Sequence, residues 1–311
     1  MSKFIPKLVQ GISPTMINVM NIVQKVSATE ANVLITGENG TGKELIAQEI
    51  HNRSERAGEL MISVDMGSVP ETLFESELFG HVKGAFTDAR DDRKGKFELA
   101  NNGTLFLDEI SNLSLLSQSK ILSVLQNRKI VRVGSNNELP VDIRLICATN
   151  CDLFTMVSEG RFREDLLYRI NTIMIEVPPL RDRVDDIPIL ANHFIRIYCE
   201  KYGKEQMKIN THALEKLSDY GWPGNVRELQ HSIEKAVIMS DAPVLLPSDF
   251  EFKPSSKIHH QHELTLEEME LKMIRESLRR HDNNISIVAA KLGITRQTLY
   301  NKMKKLDSGS L

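Results

Sequence analysis

Cysteine is scarce in these 311 residues: Cys147, Cys151 and Cys199 are the three present, and none are in CxxC spacing. That suits a reducing cytoplasm rather than a disulfide framework. Cys147 lies within an apolar strand pattern and reads as core. No apolar run approaches the roughly 20 residues of a membrane span, and Met1-Ser2-Lys3-Phe4 begins no signal peptide. The expected location is therefore cytoplasmic, with no membrane partner. Positive charge is not in excess either. The net charge is −3, so any affinity for nucleic acid must come from a local patch. With 41% hydrophobic and 26% charged residues the composition is that of an ordinary soluble globular protein, and the length suits about two domains.

What is present centres on residues 33–44. The apolar run Val33-Leu34-Ile35 breaks into Thr36-Gly37-Glu38-Asn39-Gly40-Thr41-Gly42-Lys43-Glu44, and a helix-forming stretch follows through Leu45, Ile46 and Ile50. This reads as a buried strand, a tight turn and a helix start. Glycines allow positive φ and let backbone N–H groups approach a ligand closely. With the positive end of the next helix they make a phosphate cradle that Lys43 can reach into. The spacing is G-x-x-x-x-G-K, but position 44 is Glu where the general pattern has a Mg²⁺-binding Ser or Thr. A glycine-rich turn without a ligand is the plainer alternative.

A second apolar strand, Thr104-Leu105-Phe106-Leu107, ends in Asp108-Glu109. Two acids ending a buried strand are costly unless they bind metal or do chemistry. Beside a phosphate loop, the Asp would hold Mg²⁺ and the Glu would polarise water. Further strands, Met61–Val64, Ile143–Ala148 and Ile173–Val177, alternate with helical patterns. That argues for an α/β fold with a parallel sheet covered on both faces. Asn150, just beyond a strand end, is placed to orient water. Leu116, Ile121, Leu122 and Leu125 on the pattern 115–126 read as core, and a hairpin is expected around Gly134–Asn137.

Residues 4–30 read as one helix near the nucleotide. Too little chain precedes it for a sensory domain, so one is expected to be lacking or truncated. Residues 81–96 form a polar insertion carrying Gly84-Ala85-Phe86-Thr87; such insertions are functional or disordered. An exposed Phe beside a Thr points to a contact site, the alternative being Phe86 folded back onto the core. After Pro178-Pro179 a helical bundle runs to about Ser240, and Trp222-Pro223-Gly224-Asn225 is turn chemistry that introduces Arg227. A surface ion pair with Glu228 or Glu234 is the alternative role for Arg227. The expected domains are 5–178 (α/β), 179–241 (helical lid), 242–263 (linker, including His259-His260-Gln261-His262) and 264–311.

That last unit carries Ala289-Ala290-x-Leu292-Gly293-Ile294 with Thr295 as N-cap, a helix-turn-helix pattern. From Asn283 to Leu306 there are Lys291, Arg296, Lys302, Lys304 and Lys305 but no acid. The patch fits phosphate contact with double-stranded DNA, while Arg296, Gln297 and Tyr300, with Thr298 and Asn301 beside them, can face base edges. A three-helix protein-binding module is the alternative.

Together these residues resemble the sigma-54-dependent transcriptional activators, or bacterial enhancer-binding proteins, of the AAA+ ATPase class. The resemblance covers nearly the whole chain. Its carriers are Gly37-Glu38-x-Gly40-Thr41-Gly42-Lys43-Glu44, which accounts for Glu44, with Glu77-Leu78-Phe79-Gly80-His81, Gly103–Glu109 and Trp222-Pro223-Gly224-Asn225-Val226-Arg227-Glu228-Leu229. It implies a P-loop ATPase with a helical lid and a Fis-type helix-turn-helix, with ATP and Mg²⁺ as cofactors. Lys43 would grip the phosphates, Asp108 organise Mg²⁺ and Glu109 activate water. Thr149-Asn150 would be the first sensor and Arg227 the second. Arg163 and Arg169 would reach a neighbouring subunit's site in a ring, commonly a hexamer. Phe86 and Thr87 would contact sigma-54 RNA polymerase. Two positions depart from the family pattern: Asp88 where it has Gly, and Asp65 where it has an Asn that restrains the catalytic Glu. As an anion facing Glu109, Asp65 would repel it.

Three functions follow. The first is an ATP-driven activator that binds DNA and remodels the sigma-54 RNA polymerase closed complex. The second is a DNA-binding regulator using the ATPase fold for oligomerisation or ligand sensing; intact Lys43, Asp108, Glu109, Arg163 and Arg169 argue against it, and Asp88 for it. The third, a remodelling ATPase for other substrates, leaves the DNA-binding tail unexplained.

Overall fold

The computed structural model describes residues 11–252 and 285–299, together with Ile274, Ser277 and Lys302. The chain divides into two compact units, Met1–Glu251 and Phe252–Leu311.

In the first unit, helix α1 (Pro14–Ser27) precedes strand β1 (Val33–Thr36), helix α2 (Lys43–Asn52) and strand β2 (Met61–Asp65). Helix α3 (Phe74–Phe79) leads into a two-stranded ribbon, β3 (Gly80–His81) and β4 (Arg93–Lys94), then into helix α4 (Lys96–Leu99). Strand β5 (Thr104–Asp108) and helix α5 (Leu115–Asn127) follow, then the hairpin of β6 (Lys129–Val131) and β7 (Glu138–Pro140). Strand β8 (Arg144–Thr149), helices α6 (Leu153–Ser158) and α7 (Glu164–Ile170), and strand β9 (Ile173–Glu176) complete the α/β part. Its sheet is parallel throughout, in the order β2-β5-β8-β1-β9.

The alternation of strands and helices has the consequence expected of it. Val33, Ile35, Phe106, Ile146 and Ile175 point to one face and pack on Val19 and Val23 of α1 and Ile46 and Ile50 of α2. Leu34, Leu105, Leu107 and Leu145 point to the other and meet Leu78, Ile121, Leu125 and Leu166. With both faces covered, the C-terminal strand ends are left to form a site. Arg144 is wholly buried, and its guanidinium donates to the Val26 and Ser27 carbonyls at the end of α1. Two expectations need correction. Leu116 is 64% exposed: on α5 the stripe facing the sheet runs through Ile121, Leu122 and Leu125, and Leu116 falls outside it. Helix α6, capped by the Asp152 side chain on the Phe154 amide, occupies residues where no element was expected.

The helical part holds α8 (Ile187–Tyr202), α9 (Thr211–Asp219) and α10 (Asn225–Met239), with a short parallel pair, β10 (Lys208–Ile209) and β11 (Val244–Leu245). Among the described residues no helix is long and apolar enough to cross a membrane.

In the second unit, helix α11 (Ile285–Lys291) ends at Gly293, whose φ of +67° suits glycine. Thr295 then opens another helix, its Oγ1 accepting from the Thr298 amide at 3.2 Å. Ile274, Val288, Ala289 and Leu299 form a small core. The expected turn and N-cap are both present. The linker histidines lie outside the described residues.

Candidate active site: a glycine loop between sheet and lid

The loop after β1 turns on Gly37, Gly40 and Gly42, with φ of +149°, +79° and +101°. A side chain at Gly40 would strike the Gly224 carbonyl, so glycine is needed where the loop meets the helical part. At Gly42 a Cβ would meet nothing within 4 Å: it would project into open cleft. Gly42 caps α2 without a side-chain hydrogen bond, so the first-turn amides retain their capacity to bind an anion. Lys43 is buried at the head of that helix. Its Nζ donates to the Gly37 carbonyl (2.9 Å) and the Glu38 carbonyl (3.3 Å) and lies 3.8 Å from Glu109 Oε1. Burial holds this ammonium below the ordinary lysine range, while Glu109 and Asp108 pull the other way.

Strand β5 delivers Asp108 and Glu109 to the same place. Glu109 sits at φ 53°, ψ 49°, and its N–H donates to Asp108 Oδ1 at 3.0 Å. That left-handed turn brings the carboxylate toward Lys43. Gly40, Gly42, Lys43, Glu44, Asp108, Glu109 and Arg227 line a cleft of about 240 Å³. Its chemistry fits a phosphate chain: glycine amides, a helix N-terminus, an ammonium and two carboxylates. Among the described residues no cluster of three His, Cys, Asp or Glu could hold a metal by itself. One or two carboxylates are what a Mg²⁺ arriving on phosphates takes from a protein, and Asp108 could supply one. The Thr41 hydroxyl is engaged with the Glu38 carbonyl at 2.8 Å.

The other expected site residues are more dispersed. Arg227 reaches the cleft from α10, its N–H on the Gly40 carbonyl at 3.3 Å. Neither ion-pair alternative holds it. Glu228 accepts from Tyr220 and the Gly224 amide, and Glu234 from Lys201 and Tyr202. Asn150 lies beyond β8 and lines a neighbouring cleft of about 460 Å³ with Gly37, Glu38 and Cys151. Arg163 and Arg169 lie outside the lining of the phosphate cleft. Arg163 bridges Asp165 and Ser119, and Arg169 donates to the Leu125 carbonyl at 2.9 Å. Asp65 accepts from the Gly67 amide at 2.8 Å, so its carboxylate is engaged within its own turn.

Phe86 and Thr87 are exposed in the insertion between β3 and β4. Phe86 is 42% exposed, with one edge against the buried His81 ring at 4.9 Å. The chain is pinned beneath it: Gly84 N–H bonds the Ala89 carbonyl (2.8 Å), Val82 N–H the Val133 carbonyl (3.1 Å), and Lys83 N–H the Asp92 carboxylate (2.8 Å). Asp88 is exposed and is not among the positive-φ positions, so it replaces glycine without backbone strain. In the second unit Arg296 and Gln297 are exposed at the head of the capped helix and Thr298 is half-buried, as is Lys302. Tyr300, Asn301 and Lys304 lie outside the described residues.

The lid entry holds buried charges that no sequence pattern marks. Arg183 is buried and donates to the Thr41 carbonyl at 2.9 Å. Asp186, 1% exposed, accepts from the Ile12 and Ser13 amides and the Ser13 hydroxyl. Charged residues after a Pro-Pro read as solvated surface, and nothing in their spacing marks them as buried.

Residues 9–176 match the family described as the sigma-54 interaction domain, 181–267 an AAA+ ATPase lid domain, and 265–306 a bacterial regulatory protein of the Fis family. Regulatory protein AtoC of Escherichia coli (strain K12) is 43% identical over 305 residues, covering 94% of this chain and 66% of AtoC. Nitrogen fixation protein AnfA of Azotobacter vinelandii is 44% identical over 311 residues, covering 97% and 58%. The chain thus spans two thirds or less of these curated relatives. The crystal structure of NtrX from Brucella abortus in complex with ATP superposes with a TM-score of 0.74 at 32% identity, covering 97% of this chain and 69% of that one. A parallel sheet, a glycine loop facing a helical lid and a Fis-type helix-turn-helix converge with these matches: the chain belongs to the AAA+ family of sigma-54-dependent transcription activators.

Proposed function

We propose that this protein hydrolyses ATP in a ring of subunits, commonly a hexamer, and uses the cycle to remodel the sigma-54 RNA polymerase closed complex. It binds double-stranded DNA sequence-specifically through its C-terminal unit. The observation that carries the ATPase reading is the convergence of Lys43, Asp108, Glu109 and Arg227 on one glycine-lined cleft. NtrX, similar over most of this chain, has been crystallised with ATP.

The loop amides from Gly37 to Gly42 and the head of α2 bind the phosphates, and Lys43 exchanges its carbonyl partners for phosphate oxygens. Asp108 would hold Mg²⁺ there, whose charge offsets that developing on the transferred phosphoryl group. Glu109 takes a proton from the attacking water, and Asn150 orients that water. Arg227 reports the nucleotide to the lid. Arg163 and Arg169, outside the chain's own cleft, serve the neighbouring subunit. Phe86 and Thr87 carry the motion outward to sigma-54. In the C-terminal unit Arg296, Gln297, Thr298, Tyr300 and Asn301 read bases, while Lys302 and Lys304 hold phosphates.

The deciding experiment is a promoter assay with sigma-54 holoenzyme and ATP. Thr87→Ala is expected to abolish activation while ATPase activity and DNA binding stay within about twofold, because Thr87 is exposed and is not among the residues lining the cleft. Normal activation by Thr87→Ala, or no sigma-54 binding by the parent with a transition-state nucleotide analogue, would leave the regulator that uses its ATPase fold for oligomerisation.

A further inference from the structure

Asn225 opens α10 and is wholly buried, yet its backbone φ is +53°. An asparagine before a helix ordinarily serves as a cap through its oxygen. Here both ends of the carboxamide are used, and toward other elements. Its Oδ1 accepts from the Leu180 amide at 2.7 Å, at the entry to the lid. Its Nδ2 donates to Glu38 Oε2 at 3.0 Å and to the Asn39 carbonyl at 3.0 Å, both in the glycine loop.

The surroundings make this a fixed point. Glu38 is also gripped by Arg181, one residue beyond Leu180, at 2.9 Å. The Gly40 carbonyl takes the Arg227 amide, and only glycine fits where Gly40 meets Gly224. The turn itself is anchored in the helical part. Trp222, fully buried at φ +45°, donates to the Leu217 carbonyl at 2.7 Å, and Gly224 N–H bonds Glu228 at 2.8 Å. A rigid turn of the lid thus holds the loop that must cradle phosphates, by hydrogen bonds to residues 38 and 39.

We infer that Asn225 is a positioning residue for ATP binding: with Glu38 and Arg181 it latches the phosphate loop to the lid and sets the loop amides for the phosphate chain. The inference rests on the ATPase reading and adds a second lid contact beside Arg227. Reciprocity follows: if the latch favours the binding-competent loop, bound nucleotide must tighten the latch.

The test uses the full chain, with steady-state ATP hydrolysis and binding of N-methylanthraniloyl-ATP. Asn225→Gly keeps the left-handed backbone accessible and removes the carboxamide. It should raise KM and the analogue Kd together by about tenfold, the scale of a hydrogen bond to a charged partner, with kcat within about threefold. Asn225→Asp tolerates the same backbone but sets a carboxylate against Glu38, and should raise both constants at least as far. Glu38→Gln combined with Asn225→Asp restores a donor–acceptor pair between these two side chains, while the Asn39 carbonyl still faces a carboxylate and Arg181 loses its ion pair, and should lower KM below that of Asn225→Asp alone without reaching the parent's. In the parent, hydrogen exchange at the Leu180 amide should slow on adding ADP, and in Asn225→Gly it should not. Hydrolysis by the parent with unchanged KM in Asn225→Gly, or a double variant no better than Asn225→Asp alone, overturns the latch and leaves the ATPase reading standing. A parent that neither binds the analogue nor hydrolyses ATP overturns both.

Discussion

The phosphate cleft is built at strand ends of the five-stranded sheet and the Phe86–Thr87 insertion on the separate β3–β4 ribbon, and the two handle their side chains in opposite ways. In the cleft nearly every functional group has a partner within the chain. Lys43 sits on two loop carbonyls near Glu109, Glu38 is held by Arg181 and Asn225, and Asp108 accepts from Glu109. In the insertion the backbone is what is bonded, across Gly84–Ala89 and Val82–Val133, while Phe86 and Thr87 are left facing solvent. A site that positions a small charged substrate must be preorganised from within. In the proposed function the insertion meets a macromolecule with its backbone fixed and its contact surface left to the partner.

Perturbing either region tests that contrast. The largest effect is expected from Arg163→Ala or Arg169→Ala, because an arginine finger is worth roughly 10³–10⁵ in rate. Mixing either variant with Lys43→Ala should recover activity at mixed interfaces; no recovery with ring formation intact would mean the site is not shared. Next comes Glu109→Gln, which should lower turnover by about 10²–10⁴ as a general base is lost while nucleotide binding persists. Unchanged hydrolysis would remove Glu109 from the role of base. The outward-facing residues should give smaller and more selective changes. Arg296→Ala should cost about 1–3 kcal/mol at a preferred DNA site and relax sequence preference, measured by titration against selected and random duplexes. Equal affinity of the parent for both would defeat specific binding. Smallest is Asp88→Gly, which should leave ATPase rate and thermal midpoint unchanged and activation equal or improved, since Asp88 lies outside the left-handed region.

How much could be read beforehand follows the same division. The buried strand before Gly37, the acids ending β5 and the Thr295 cap were legible because burial and capping restrict the residue types allowed. So was the parallel sheet, since strands covered on both faces read as continuous apolar runs. Leu116 was misread because an amphipathic pattern gives a stripe without its edges, and 116 falls past the edge. Helix α6 was missed because six residues hold too few turns to show a period. The Gly67 amide on the Asp65 carboxylate, a bond within one turn, was not legible either. The double use of Asn225 and the burial of Arg183 and Asp186 depend on pairings between 45 and 187 residues apart, which no local pattern records.

The backbone of Glu109 carries a further consequence. A non-glycine residue held in the left-handed region costs roughly 1–2 kcal/mol relative to one free of a Cβ clash, and Glu109 is held there at φ 53°. Glycine would fit this turn with less strain and would discard the carboxylate. With Glu109 as the proposed base, selection for thermal robustness and selection for turnover pull this position in opposite directions. Screens of this protein for heat tolerance should enrich glycine at 109 among survivors that have lost hydrolysis.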